Sequence, residues 1–270
     1  MSPLRDSLKQ NLPPGLVHLI RDGRDALVRA GQWPQATFHP WRRDSIRRLA
    51  ALKDIHRGQR GFIIGNGPSL KNTDLSHLRN EITLGVNRIY LAFPEMGFTT
   101  SYYLSINDLV IEQCAADIQA LPMPKFVTWR ARRWLHPTAN LSFLYTTYTG
   151  VKFATDVTGR VWEGATVTNV ALQLAYHLGF SKVILIGVDH NYVTQGKPNA
   201  TVVSQGEDPN HFNPGYFGKG FRWQLPDLDT SEEGYRLARQ VYEGAGRTVV
   251  DATVGGKLQV FPKVDYESLF

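Results

Sequence analysis

The run Gly61-Phe62-Ile63-Ile64-Gly65-Asn66-Gly67-Pro68-Ser69-Leu70 decides how the chain is read. A short bulky apolar stretch ending in a glycine-rich turn predicts a strand followed by a tight loop. Glycines at such a turn let other groups approach the backbone closely. Asn66 offers both a donor and an acceptor, which suits a ribose or a base edge. Ser69 and the amides after it could meet a phosphate at a helix start. The turn is neither GxGxxG nor a Walker loop, which would end in Gly-Lys-Ser/Thr. Gly65, Asn66, Gly67 and Ser69 are therefore candidate nucleotide-binding residues.

Short apolar runs of the same kind recur outward from this turn. Strands are expected at Ile82–Val86, Tyr102–Ile106, Lys125–Thr128, Leu141–Leu144, Val183–Val188 and Thr248–Val250. Helical patterns fit Leu109–Leu121, Thr168–Leu178 and Glu232–Glu243. Strands alternating with helices imply an α/β fold with a mainly parallel sheet covered on both faces. Val183–Val188 is apolar without alternation, as a central parallel strand should be.

Several strand ends carry polar residues suited to a nucleotide. Asn87 closes one strand and Asn107 another, so with Asn66 there are three asparagines at three strand ends. Asparagine supplies neutral hydrogen bonds and no acid–base chemistry. Thr166 and Thr168 open the helix ending at Leu178, where they could cap it and a phosphate could sit on the same terminus. Asp189 and Tyr192 follow the central strand, at the end where ligands of open α/β sheets bind. The segment from about 190 to 230 is rich in Gly, Pro, Asn and Asp, and is expected to be a lid without secondary structure.

With 270 residues and a net charge of +6, the chain is long enough for one large domain with an appendage. Residues 1–60 hold 12 Lys+Arg against 5 Asp+Glu, whereas the remainder hold 18 against 19. The basic excess is thus an N-terminal helical arm, residues 1–60, ahead of a catalytic domain at 61–270. It does not cover the catalytic domain as a nucleic-acid enzyme's basic stripe would, so no nucleic-acid partner is expected. The arm's second helix, near Ser45–Ile55, carries Arg42, Arg43, Arg47 and Arg48 among apolar positions. Such a helix can make a peripheral contact with an anionic membrane or simply pack on the domain. One cysteine, Cys114, excludes an internal disulfide. With no secretory pattern at the N-terminus, this leads us to expect a cytoplasmic protein, peripheral at most to the inner membrane face. Asp227-Leu228-Asp229 has a DxD form, but Thr230-x-x-Glu233 reads as a capping box, so no metal ligand is assigned. Trp129-Arg130-Ala131-Arg132-Arg133-Trp134 is a weak candidate for an acceptor surface.

These islands resemble the bacterial CMP-sialic-acid-dependent sialyltransferases that decorate lipooligosaccharides, and the wider MptE-like superfamily around them. That superfamily also includes 6-hydroxymethylpterin diphosphokinases and flagellin glycosyltransferases. The resemblance runs from Phe62 to Phe261. It is carried by Gly65–Leu70, by Asn87-Arg88-Ile89-Tyr90, by Asn107 with Glu112-Gln113, and by Thr166–Phe180 with Val183–Asp189. It implies a single Rossmann-like domain with a lid, in which Asn66, Asn87, Asn107 and Thr166 contact a CMP moiety. In the sialyltransferases the lid carries His-Tyr-x-Gly-His, with the second His as general base and the Tyr assisting the leaving phosphate. This chain reads His211-Phe212-Asn213-Pro214-Gly215-Tyr216: His211 matches the first His, Phe212 replaces the Tyr, and no second His follows. The catalytic candidates are therefore His211, Tyr216 and His190, and Lys219 or Arg222 could neutralise phosphate. The resemblance implies transfer of a sugar from a CMP-linked donor to a glycan or lipid-linked acceptor, with no cofactor firmly implied. The alternatives are a diphosphokinase moving pyrophosphate from Mg²⁺-bound ATP to a pterin-like alcohol, or a non-catalytic nucleotide binder.

Overall fold

The computed structural model describes residues 14–193 and 196–270; the start of the arm, Leu12-Pro13 included, lies outside the described residues. Seven strands stand where the apolar runs place them: β1 (Arg60–Ile64), β2 (Thr83–Val86), β3 (Tyr102–Ser105), β4 (Lys125–Thr128), β5 (Leu141–Thr147), β7 (Lys182–Ile186) and β10 (Thr248–Asp251). An eighth, β6 (Arg160–Trp162), completes the sheet. It is too short to show a pattern in the sequence. The order is β10-β7-β1-β2-β3-β4-β5-β6, and every pairing between neighbours is parallel. This is the α/β, Rossmann-like fold expected of the chain.

Both faces of the sheet are buried, because alternate residues of each strand feed two separate cores. Phe62, Ile64, Ile184 and Ile186 face one core; Ile63, Leu84, Val183 and Leu185 face the other. Over the second face lie α6 (Val167–Leu178), through Val170, Leu174 and Leu178, and α7 (Leu228–Gly244), through Tyr235, Ala238 and Tyr242. The first face is covered by α4 (Asp108–Gln113) and α5 (Ala115–Ala120). The sequence pattern predicts these two as one helix; the chain breaks it at Cys114, which is buried. Helix α7 begins earlier than its capping box suggests, because Asp227 takes the N-cap and accepts from Thr230 N at 3.1 Å.

Strand order reverses at β1, since β2 to β6 follow on one side and β7 returns to the other. The crevice of an open α/β sheet lies at the carboxyl ends of the strands at such a switch point. Here the loops after β1 and β7 touch: Gly65 N donates to Ile186 O and Gly67 N to Gly187 O, both at 2.8 Å. A Cβ at residue 65 would sit 2.3 Å from the Gly187 carbonyl oxygen, and one at 67 would sit 1.8 Å from Asp189 Oδ2. These glycines are required by the neighbouring loop rather than by a left-handed backbone.

Two helices precede the sheet, α1 (Pro14–Phe38) and α2 (Pro40–Ala51). The second is packed onto the domain. Leu49 is buried, Ser45 Oγ accepts from Phe143 N at 2.9 Å, and buried Arg42 donates to Thr158 O at 2.6 Å. Arg48 is likewise engaged by the carbonyls of Thr138, Ala139 and Leu141, leaving Arg43 and Arg47 exposed. In α1 it is the apolar positions that face solvent, Leu16, Leu19, Ile20, Leu27 and Phe38. Among the described residues no helix is long and apolar enough to cross a membrane.

The touching loops set a stability test. Gly65→Ala is expected to cost about 3 kcal/mol or more, because the methyl group meets backbone that cannot yield. Gly206→Ala, where nothing lies within 4 Å, should change stability by less than ~0.5 kcal/mol. Equal urea midpoints for the two variants would refute the packing role given to Gly65.

Candidate functional site

Two cavities open at the carboxyl ends of the strands and share Asn87, Thr166, Tyr192 and His211 in their walls. The smaller, about 100 Å³, lies at the switch point against Gly65, Asn66, Gly67, Asp189, His190 and Thr168. The larger, about 510 Å³, extends over the ends of β3 to β6 and includes Asn107. The fold thus brings together the loops after β1, β2, β3 and β7 and the start of α6.

Each asparagine also has a local structural task. Asn66 Nδ2 donates to Val86 O at 2.9 Å, tying the first loop to the second, while its buried Oδ1 has no hydrogen-bond partner among the described residues. A buried acceptor without a donor is costly unless a ligand or water supplies one. Asn87 adopts φ 49°, and its Oδ1 accepts from Ser105 Oγ at 3.0 Å. Asn107 caps α4, accepting from Leu109 N and Val110 N. Thr166 caps α6 by accepting from Thr168 N, and the first turn of that helix has no acidic residue to offset its positive dipole end.

Ser69 is not available to a phosphate. Its amide and hydroxyl both donate to Asp189, at 3.0 and 2.6 Å, and the residue lines neither cavity. The turn it belongs to, Pro68–Asn72, is a single 3₁₀ stretch rather than the helix start the sequence suggests. Burial raises the Asp189 pKa, opposed by the Ser69 hydrogen bonds.

The lid is folded, contrary to its expected lack of secondary structure. A hairpin of β8 (Thr201–Val203) and β9 (Arg222–Gln224) stands within it, and Phe212, Tyr216 and Phe217 belong to the core on one face of the sheet. Phe212 N donates to Asn66 O at 2.9 Å, which pins the lid to the first loop. Arg88 donates to the carbonyls of Gly215 and Tyr216, and its guanidinium lies over the Tyr216 and Phe221 rings. Gln113 exchanges hydrogen bonds with the Arg222 backbone, and the Arg222 side chain pairs with Glu112. Neither Arg222 nor exposed Lys219 lines either cavity, so these two lie away from any phosphate held there.

His211 lines both cavities, with its Nδ1 2.7 Å from Asp208 Oδ2. A carboxylate can only accept, so Nδ1 carries a proton, and in the neutral imidazole the lone pair is on Nε2. Asp208 is itself fixed by Asn210 N at 2.8 Å and Phe217 N at 3.2 Å. The imidazole stacks on Tyr216, ring centroids 3.9 Å apart. Tyr216 is fully buried, Arg88 N donates to its hydroxyl, and burial raises its pKa. The phenol ring forms a platform beneath His211, and Tyr216 lines the smaller cavity. His190, at φ 53°, lines the smaller cavity and has its Nε2 3.1 Å from Glu232 Oε1.

Sequence reasoning passed over Asp208, three residues before His211. It also passed over the network on the floor of the larger cavity, where Arg130 bridges Asp108 and Glu163. Three-residue spacing of Asp208 and His211 was a usable signal, since it allows a local carboxylate–imidazole contact. Nothing in the sequence joins Arg130 to Glu163. Within the basic-aromatic run only Arg130 reaches the cavity, and Trp129 is buried against Phe143. Among the described residues no group of three or more His, Cys, Asp or Glu could hold a metal ion.

The family model described as 6-hydroxymethylpterin diphosphokinase MptE-like matches residues 42–195, more than half of the chain. The chain belongs to this MptE-like family. It is similar in fold to the MAf glycosyltransferase from Magnetospirillum magneticum AMB-1, at 13% identity and TM-score 0.51, over 84% of this chain and 39% of that one. A mammalian sialyltransferase, solved in complex with Gal-beta-1-3GalNAc-ortho-nitrophenol, is similar at 11% identity and TM-score 0.36, over 84% of both chains. Comparison with curated proteins gives no match.

The lid's attachment can be tested at its clamp. Arg88→Ala removes charged hydrogen bonds of the kind that contribute about 1.5–3 kcal/mol. It should make residues 190–226 the first site of limited proteolysis while the sheet core stays resistant. Unchanged cleavage of that segment would refute the clamp.

Proposed function

We propose that this MptE-like protein is a nucleotide-dependent glycosyltransferase that carries a sugar from a CMP-linked donor to a glycan or lipid-linked acceptor. The observation that carries the reading is the Asp208–His211 pair, set between the two cavities and joined to the Asn66 loop through Phe212 N. A non-catalytic binder has no use for an imidazole oriented this way beside the nucleotide loops. The fold likeness to MAf, which is named a glycosyltransferase, supports the same reading.

In this mechanism the nucleotide lies across the loops after β1, β2 and β3. The unpaired Asn66 Oδ1 accepts from it, while Asn87, Asn107 and Thr166 border it. His211 Nε2 takes the proton from the acceptor hydroxyl, whose oxygen forms the new bond to the anomeric carbon of the sugar. The bond from that carbon to the phosphate oxygen breaks, and the departing phosphate is met by the positive end of α6. The folded lid keeps water from competing with the acceptor. Asp208 holds the imidazole in the tautomer the step requires.

A second reading, pyrophosphate transfer from Mg²⁺-bound ATP to a pterin-like alcohol, is favoured by the description of the family and by the Asp189 carboxylate beside the Gly65 loop. Nucleotide preference separates the two. Under the first reading CMP, without metal, should raise the Tm by roughly 5 °C at 100 times its Kd. Stabilisation by Mg-ATP and not by CMP would replace it with the second.

The base is tested by two variants. His211→Ala should lower kcat by ~10²–10⁴ while the CMP-induced Tm shift remains. Asp208→Asn presents an amide N–H to Nδ1, which moves the imidazole proton to Nε2 and removes the base; kcat should fall at least ~10-fold. Full turnover in either variant would take the pair out of the mechanism.

A further inference from the structure

Helix α1 (Pro14–Phe38) carries an apolar stripe that the domain does not use. Leu16, Leu19, Ile20, Leu27, Pro34 and Phe38 fall on one side of it, because their spacings are close to whole turns of a helix. All of them are exposed, Leu19 at 68% and Leu27 at 76%. Gly23 and Ala30, at the same register, add no charge to the stripe. The helix is held to the domain from its other side. There Ala36 is buried, Tyr145 Oη donates to Arg29 O at 3.3 Å, and Arg29 and Gln32 line the larger cavity.

Helix α2 has used its own apolar positions, with Leu49 buried and Ile46 and Leu52 half-buried. The membrane contact expected of that second helix therefore finds little apolar surface there, whereas the first helix presents a long run of it. A contiguous apolar patch of this kind marks a site of association.

Charge narrows what covers the stripe. Residues 14–51 hold 7 arginines against 3 aspartates, and Arg43, Arg47 and Arg133 are exposed. Arg132 Nη2 donates to Gln35 Oε1 at 3.0 Å, which sets the basic run ending at Arg133 against α1. A second copy laid on the stripe would bring two basic arms together, and like charges oppose that pairing. An anionic lipid surface attracts them instead. Trp33, 51% exposed with its ring edge-on to Phe38 at 5.6 Å, is of the residue type that settles at a lipid–water boundary.

We infer that α1 lies along an anionic membrane surface, its apolar stripe sunk below the headgroups and the arginines of the arm drawn to the phosphates. The helix rests in the plane of the surface, since no described helix is long and apolar enough to cross a membrane. Arg29 and Gln32 stand on this same helix, so the larger cavity is held close to the lipid. The inference stands on the stripe and the charge of the arm, and it goes beyond the transferase reading without resting on it.

Flotation of the full chain with vesicles tests this, using phosphatidylglycerol and phosphatidylcholine in equal parts against phosphatidylcholine alone. Partitioning to the anionic vesicles should be about tenfold or more stronger, and high salt should weaken it. Ile20→Glu combined with Leu27→Glu should lower it about tenfold or more. Both side chains face solvent, so the Tm should not change. Anionic vesicles should also shift the tryptophan fluorescence to the blue, and Trp33→Phe should remove most of that shift. Equal flotation of the double variant and the unaltered chain would overturn the inference, as would absence of flotation. So would a dimer in light scattering that the double variant turns into a monomer while vesicles take up neither, which assigns the stripe to a second copy. In each of these failures a CMP-induced rise in Tm would leave the transferase reading standing.

Discussion

The contact on which the rest depends is the passage of the loop after β1 against the loop after β7. With a Cβ at residue 65 placed 2.3 Å from the Gly187 carbonyl oxygen, only glycine fits there. That approach lets Gly65 N and Gly67 N complete hydrogen bonds with the neighbouring strand end, and it brings Asp189 onto Ser69. A side chain at residue 65 would push the Gly187 backbone away where the strand order reverses, and one at residue 67 would displace Asp189. The cavity geometry follows from backbone packing before any ligand is considered.

The lid is the second half of the same construction. Its glycines and prolines suggest a flexible cover, yet Phe212, Tyr216 and Phe217 continue the core on one face of the sheet. Arg88 and Gln113, from the loop after β2 and from α4, hold its backbone by hydrogen bonds. A histidine on a loose loop would sample many orientations. Here His211 is stacked on Tyr216 and held by Asp208, so its lone pair has one direction. The aromatic cluster under the lid therefore orients the imidazole as well as burying apolar surface.

The charge of the chain takes on a different meaning in three dimensions. Arginines that make the first 60 residues basic are partly consumed by carbonyl groups, as at Arg42 and Arg48, where they hold α2 to the sheet edge. Arg130, one of three arginines in a short basic run, is turned inward to two carboxylates that lie 22 and 33 residues away in sequence. Counting charges along the chain could not separate these uses, since each is set by which backbone or carboxylate stands nearby after folding.

Local regularities determined much of this protein. Seven strands of the sheet, helices α6 and α7, and the polar loops at the strand ends are legible because apolar periodicity and turn chemistry act within a few residues. The placing of Asn66, Asn87 and Asn107 at one edge of the sheet was legible on the same ground, since the carboxyl ends of parallel strands share an edge. Tertiary structure alone decided that Ser69 is occupied by Asp189, that Tyr216 lies under His211, and that the lid is folded. It also decided that Arg130, Asp108 and Glu163 form one floor. These are contacts between residues distant in sequence, or between side chains whose direction depends on packing, and no periodicity along the chain encodes them.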